Sequence, residues 1–131
     1  MLKKILILDD NEDILEVIND VLSEEGYETE CLSYTNDIYA SINAIQPDLV
    51  ILDYILFGIN GGELCHQVKN NPATAHIPVI MISAYSRVLA SLGSYGADVF
   101  IAKPFLLEDL VNGVRNCLLN AGNVNRVMSA Q

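Results

Sequence analysis

Three stretches of this chain are unbroken apolar runs, and each ends on a polar side chain suited to chemistry. Ile5-Leu6-Ile7-Leu8 ends on Asp9-Asp10, Leu49-Val50-Ile51-Leu52 on Asp53, and Val79-Ile80-Met81-Ile82 on Ser83. A short apolar run without alternation reads as a strand buried on both faces, as in a parallel sheet. The spacing predicts strands over 3–8, 29–33, 49–53, 77–83 and 98–102. Between them apolar residues recur at helical spacing: Ile14, Leu15, Val17, Ile18, Val21 and Leu22, stopped by Gly26; then Ile38, Ile42 and Ile45, capped near Thr35 and ended before Pro47. A third helix is predicted over 63–70 and a short, weakly patterned fourth over 87–92. Leu106, Leu107, Leu110, Val111, Val114, Cys117 and Leu118 mark a strong last helix. Residues 121–131 carry no core pattern and read as a frayed tail or the start of a linker.

Strand and helix thus alternate five times over spans too long for hairpins, which predicts a doubly wound α/β fold with a parallel sheet. Right-handed crossovers bring every strand's C-terminal end to one edge, where α/β sheets gather their ligands. Asp9, Asp10, Asp53, Ser83 and Lys103 all stand at or just past such ends, so four strands converge on one cleft.

Composition narrows the chemistry. The 131 residues are 51% hydrophobic and 18% charged, which suits one globular domain; we expect it over 1–121, with 122–131 as tail or linker. A net charge of −10 argues against direct contact with nucleic acid or an anionic membrane. No apolar run reaches the roughly 20 residues of a membrane span, and the apolar start is too short for an export signal, so a cytoplasmic location is expected. Cys31, Cys65 and Cys117 are odd in number and lack a CxxC pair. They read as reduced, small apolar residues, and His66 and His76 as surface or helix-end side chains.

Carboxylates crowded in one cleft repel one another unless a cation lies among them. Oxygen ligands select a hard divalent ion, and Mg²⁺ is the usual choice beside phosphate. An ionised Asp is also a nucleophile able to form an aspartyl phosphate, with Lys103 sharing the neutralisation and the Ser83 hydroxyl donating to a phosphoryl oxygen. Taken singly, each residue has a plainer role: Asp9-Asp10-Asn11 as a helix cap, Asp53 as a solvated strand end, Ser83 bonded to nearby backbone, Lys103 at the surface and Phe100 in the core. Those roles weaken because they must hold independently on four strands.

These residues resemble the receiver domain of two-component response regulators. The resemblance covers about residues 3–120. It rests on Ile7-Leu8-Asp9-Asp10-Asn11-Glu12, on Asp53 with Gly61 eight residues later, on Ile77 to Ala84, and on Gly96-Ala97-Asp98 leading to Lys103-Pro104-Phe105. It implies the flavodoxin-like (βα)5 fold with strand order 2-1-3-4-5. It also implies that Asp53 accepts a phosphoryl group from a phosphohistidine on a sensor histidine kinase or histidine phosphotransfer protein. Asp9, Asp10, Asp53 and the Ile55 backbone carbonyl would hold Mg²⁺, with Mn²⁺ as an alternative. Lys103 would be catalytic, Ser83 and Phe100 would switch, and the Lys103–Pro104 peptide would be cis. Output to a protein partner or a second copy is expected on the fourth helix, fifth strand and last helix, around Val88, Tyr95, Val99 and Ile101. Such a domain catalyses only its own phosphorylation and dephosphorylation.

Some positions depart from the family pattern. Phe57 replaces the usual proline, Phe100 replaces the common tyrosine, and the stretch from Ser83 to Gly96 is about two residues short. Ile55 and Tyr85 are bulky beside the expected phosphate and are expected to lengthen its lifetime. Two other readings compete. A Mg²⁺-dependent phosphatase would need a second acid near Asp53, where position 55 is Ile. A phosphorylation-independent interaction module would have no use for the acids, Ser83 and Lys103.

Overall fold

The computed structural model describes residues 2–56, 59–84 and 96–130. Five parallel strands are β1 (Lys4–Leu8), β2 (Glu28–Leu32), β3 (Leu49–Asp53), β4 (Val79–Ser83) and β5 (Val99–Ala102). They lie in the order β2-β1-β3-β4-β5, which is the expected 2-1-3-4-5 arrangement. The described helices are α1 (Glu12–Glu24), α2 (Ile38–Ile45), α3 (Gly61–Asn70) and α4 (Leu107–Ala130). The fourth helix predicted over 87–92 lies outside the described residues, as do Phe57, Tyr85, Val88 and Tyr95.

The unbroken apolar runs follow from burial on two sides. Alternate strand residues point to opposite faces. Ile5, Ile7, Leu49, Ile51, Ile80, Ile82 and Ile101 pack under α1 and α4, against Leu15, Ile18, Leu22, Leu110 and Val114. Their neighbours Leu6, Leu8, Val50, Leu52, Val79 and Met81 pack under α2 and α3, against Ile38, Ile42, Leu64 and Val68. Among the described residues β2 lies at the sheet edge and pairs only with β1, and it shows polar residues instead: Glu28 and Glu30 are exposed.

Helix ends are set by local polar groups, not all of them the ones expected. Asn11 caps α1, its side chain accepting from the Asp13 and Ile14 amides, and Gly26 closes the helix at φ 94°. α2 is capped by Asp37, not Thr35: the Asp37 carboxylate accepts from the Tyr39 and Ala40 amides. Thr35 is instead buried, bonded to the Ser41 hydroxyl and accepting from the Asp37 amide. α4 is helical to Ala130, through most of the segment expected to be a frayed tail or the start of a linker. Its last turns contain no proline, so nothing in the backbone halts it.

Two further expectations are corrected by packing. Ile101, assigned to an output surface, is only 8% exposed because strand alternation turns it under α4; Phe100 is 38% exposed and points the other way. Cys31 is exposed on β2, whereas Cys65 and Cys117 are buried in the two cores, where desolvation raises both thiol pKa values and keeps them protonated. Among the described residues no helix is long and apolar enough to cross a membrane.

Gly113 tests the packing under α4. A Cβ there would meet Ile101 Cδ1 at 3.6 Å and Ile80 Cδ1 at 3.7 Å, ordinary van der Waals contact. Gly113→Ala should therefore stabilise the protein by about 0.5–1 kcal/mol, the usual cost of glycine inside a helix. Denaturant unfolding will show it as a higher midpoint at unchanged slope.

Candidate phosphoryl-acceptor site

The site is built by sheet register. Leu8 lies beside Leu52, so Asp9 emerges abreast of Asp53. Asp53 lies beside Ile82, which brings Ser83 one position further along the same edge. Ser83 lies beside Ala102, so Lys103 follows immediately, its amide donating to the Ser83 carbonyl at 2.8 Å. Asp9, Asp53 and Ser83 thus stand where a buried strand runs out of core, and Lys103 just past the partly exposed β5.

The side chains meet. Lys103 Nζ donates to Asp53 Oδ2 at 2.5 Å and lies 3.5 Å from Asp9 Oδ2. Carboxylate oxygens of Asp9, Asp10 and Asp53 all fall within 4.8 Å of one another. Asp9 and Asp53 are buried, as is Ser83, while Asp10 is exposed. The Asn11 amide donates to Asp9 Oδ1 at 2.9 Å, so the turn into α1 both caps that helix and orients the acid. Three carboxylates with no nitrogen or sulfur ligand among them form an oxygen donor set suited to a hard divalent cation.

The electrostatics show what such a cation would relieve. Burial pushes the Asp9 pKa from 3.8 up to about 6; the Asn11 amide opposes that rise, the negative charge of Asp53 adds to it, and Lys103 offsets part of it. For Lys103, burial favours the neutral amine. The hydrogen bond and charge of Asp53, with Asp9 behind, outweigh that and hold its pKa above the ordinary value.

Phe100 lies outside the acid cluster, beside Met81 in the sheet, and lines a groove with Pro104, Phe105 and Leu106. Ile55 is two residues past Asp53, paired with Asn60 in a short antiparallel ribbon formed by Ile55–Leu56 and Ile59–Asn60. The Lys103–Pro104 peptide is cis. His66 is exposed on α3 and takes a contact from Asn70 Nδ2 at 3.0 Å.

One contributor escaped the sequence reading. Asp98 Oδ2 accepts from the Val79 amide at 2.8 Å and from Lys69 Nζ at 3.0 Å, and Lys69 also donates to the Ile77 carbonyl. This clasp fixes the entry of β4 against β5, and hence the register that aligns Ser83 with Lys103. Its signal was an acid at the first position of the strand predicted over 98–102, and the observed strand begins one residue later, at Val99.

Residues 5–115 match the model of the response regulator receiver domain. The chain belongs to that family. Among its relatives, the phosphate regulon transcriptional regulatory protein PhoB of Rhizobium meliloti is 32% identical over 124 residues, covering 92% of this chain and 54% of that one. The chain spans about half the length of the curated relatives it matches. The crystal structure of a response regulator from Chloroflexus aurantiacus superposes with a TM-score of 0.82 at 32% identity, covering 91% of this receiver and 99% of that chain. The Thermotoga maritima response regulator TrrA, solved in complex with Mg²⁺-BeF, gives 0.79 at 30% identity, covering 88% and 99%.

The receiver's buried acid carries a pH signature. A carboxyl whose pKa is higher folded than unfolded favours folding while protonated, and that benefit is lost as pH rises from about 4 to about 6. At neutral pH the ionised Asp9 therefore costs on the order of 3 kcal/mol. Asp9→Asn keeps an acceptor for the Asn11 amide and removes the charge. In chelator-treated protein it should melt higher than wild type at pH 7.5, with a much smaller gap at pH 4.5.

Proposed function

We propose that Asp53 is the phosphoryl acceptor of a two-component phosphorelay, receiving its group from a phosphohistidine on a sensor histidine kinase or histidine phosphotransfer protein. The observation that carries this reading is the contact of Lys103 Nζ with Asp53 at 2.5 Å inside a three-acid cluster. An Asp held by an ammonium and flanked by acids able to hold a divalent cation is equipped to gain negative charge in place.

In the step itself, a carboxylate oxygen of Asp53 attacks phosphorus. The P–O bond forms as the P–N bond to the donor imidazole breaks, and the electron pair leaves on that nitrogen. Asp9, Asp10, Asp53 and the Ile55 carbonyl would hold Mg²⁺, with Mn²⁺ as the alternative. When bound, the ion neutralises charge on acids and phosphoryl oxygens alike. Lys103 binds a phosphoryl oxygen and keeps its own proton throughout, consistent with its raised pKa. Ser83, buried at the same rim, supplies a hydroxyl to the arriving group. The chemistry ends on the protein's own side chain, so the domain turns over nothing but itself.

New charge at the rim then biases Ser83 and Phe100 between two arrangements, and the readout goes to a downstream protein or a second copy through β5, α4 and the segment 85–95 between β4 and β5. On β5 the outward residues Phe100 and Ala102, not Ile101, would form that surface. Residues 1–121 constitute the receiver unit in this reading, with 122–131 as a C-terminal tail or the start of a linker. PhoB is by its name a transcriptional regulator, yet this chain's charge of −10 suits output through protein contact better than through nucleic acid.

Intact-mass measurement with Mg²⁺ and phosphoramidate tests the proposal. Wild type should gain one phosphoryl group and Asp53→Ala none. Lys103→Met should remain folded and slow the gain by about tenfold or more, as expected for loss of one charged transition-state contact. Equal labelling of wild type and Asp53→Ala would refute the assignment.

A further inference from the structure

The chain leaving Asp53 turns back on itself at once. Ile55 pairs with Asn60 and Leu56 with Ile59, and the Gly61 amide donates to the Tyr54 carbonyl at 2.6 Å. α3 begins at Gly61, so its first residue lies directly on the main chain of the candidate acceptor. A Cβ at Gly61 would fall 1.9 Å from the Asp53 carbonyl oxygen, 2.9 Å from its carbon and 3.0 Å from Tyr54 Cα. All three are backbone atoms, which cannot swing aside as a side-chain tip can. Gly61 does not have a positive φ, so backbone freedom does not explain the glycine; clearance does. At Gly113, by contrast, an added carbon meets only flexible side-chain ends at ordinary distances.

From this we infer that Gly61 is a positioning residue for phosphoryl acceptance. Lacking a side chain, it lets the ribbon close and α3 rest on the Asp53–Tyr54 main chain. That fixes two things together: the direction in which Asp53 presents its carboxylate to Lys103, and the path of the backbone through Ile55 that would complete the metal site. Any larger residue must push the Asp53 carbonyl or the start of α3 outward by more than an ångström. A displacement of that size at a reacting group costs up to about a hundredfold in rate. The inference rests on the proposed role of Asp53 and adds a residue with no reactive group of its own.

Gly61→Ala is tested in a Gly113→Ala background, to offset lost stability, and well below its melting temperature. Two quantities are read: the Mg²⁺ dissociation constant, from chemical-shift changes in the backbone amides of residues 9–11 and 53–55, and the rate of phosphorylation by phosphoramidate at saturating Mg²⁺. Both should worsen, the rate by about tenfold to a hundredfold. A role limited to fold stability would lower the melting temperature and leave both unchanged in the folded protein, which would overturn the inference.

A gentler change covers the case in which alanine prevents folding. Glycolate at position 61, introduced as an ester, deletes the amide donor to Tyr54 and adds no bulk. It should weaken Mg²⁺ binding and slow phosphorylation by a few-fold; wild-type values for both would likewise overturn the inference. If Gly113→Ala alone takes no phosphoryl group, the role of Asp53 fails instead, and Mg²⁺ affinity still decides that of Gly61.

Discussion

Two buried acids, Asp9 and Asp53, share one ammonium, and much of this molecule can be understood as the means of holding them there. Lys103 reaches both carboxylates from the end of β5, two strands along the sheet from Asp53 and three from Asp9. The arrangement is under-neutralised. Asp9 has a pKa of about 6 in spite of the nearby amine, because burial and the charge of Asp53 outweigh what Lys103 returns. A site that is costly when empty of cations binds a cation and a phosphoryl group with that much more advantage. The fold accepts a stability penalty at this edge and offsets it with two apolar cores elsewhere.

Register turns that electrostatic demand into geometry. Parallel pairing of β1, β3, β4 and β5 sets Asp9, Asp53, Ser83 and Lys103 at successive strand ends. Slippage by one residue on any strand would turn its core side chains to the opposite face. Two devices guard the arrangement. Asp98 and Lys69 clasp β4 to β5 at the entry side, and Gly61 admits α3 onto the acceptor's own backbone. Neither is a reactive group, yet both bear on where the reactive groups stand.

What the sequence disclosed and what it hid follow the same physics. The strands of the sheet centre were legible because burial on both faces removes polar residues entirely, as in Leu49-Val50-Ile51-Leu52. The site was legible because its residues follow such runs directly. Helix caps were less so: Thr35 and Asp37 are both good caps, and the structure gives the cap to Asp37 while Thr35 bonds to Ser41 within α2. The reach of α4 to Ala130 was hidden because core pattern and helical backbone end at different places. Ile101 was misassigned to the surface because the alternation of a four-residue edge strand leaves little pattern to read. The clearance at Gly61 could not be read at all, since it depends on how close two backbones come, eight residues apart in the chain.

The most direct test of the central claim is the chemical identity of residue 53 after phosphorylation. Hydride reduction of an acyl phosphate converts that aspartate to homoserine, which peptide mass spectrometry places in the sequence. The account predicts homoserine at position 53 in protein treated with Mg²⁺ and a phosphodonor, and Asp in untreated protein. Homoserine at position 9 or 10, or phosphate retained on His66 or His76 with Asp53 unchanged, would contradict it.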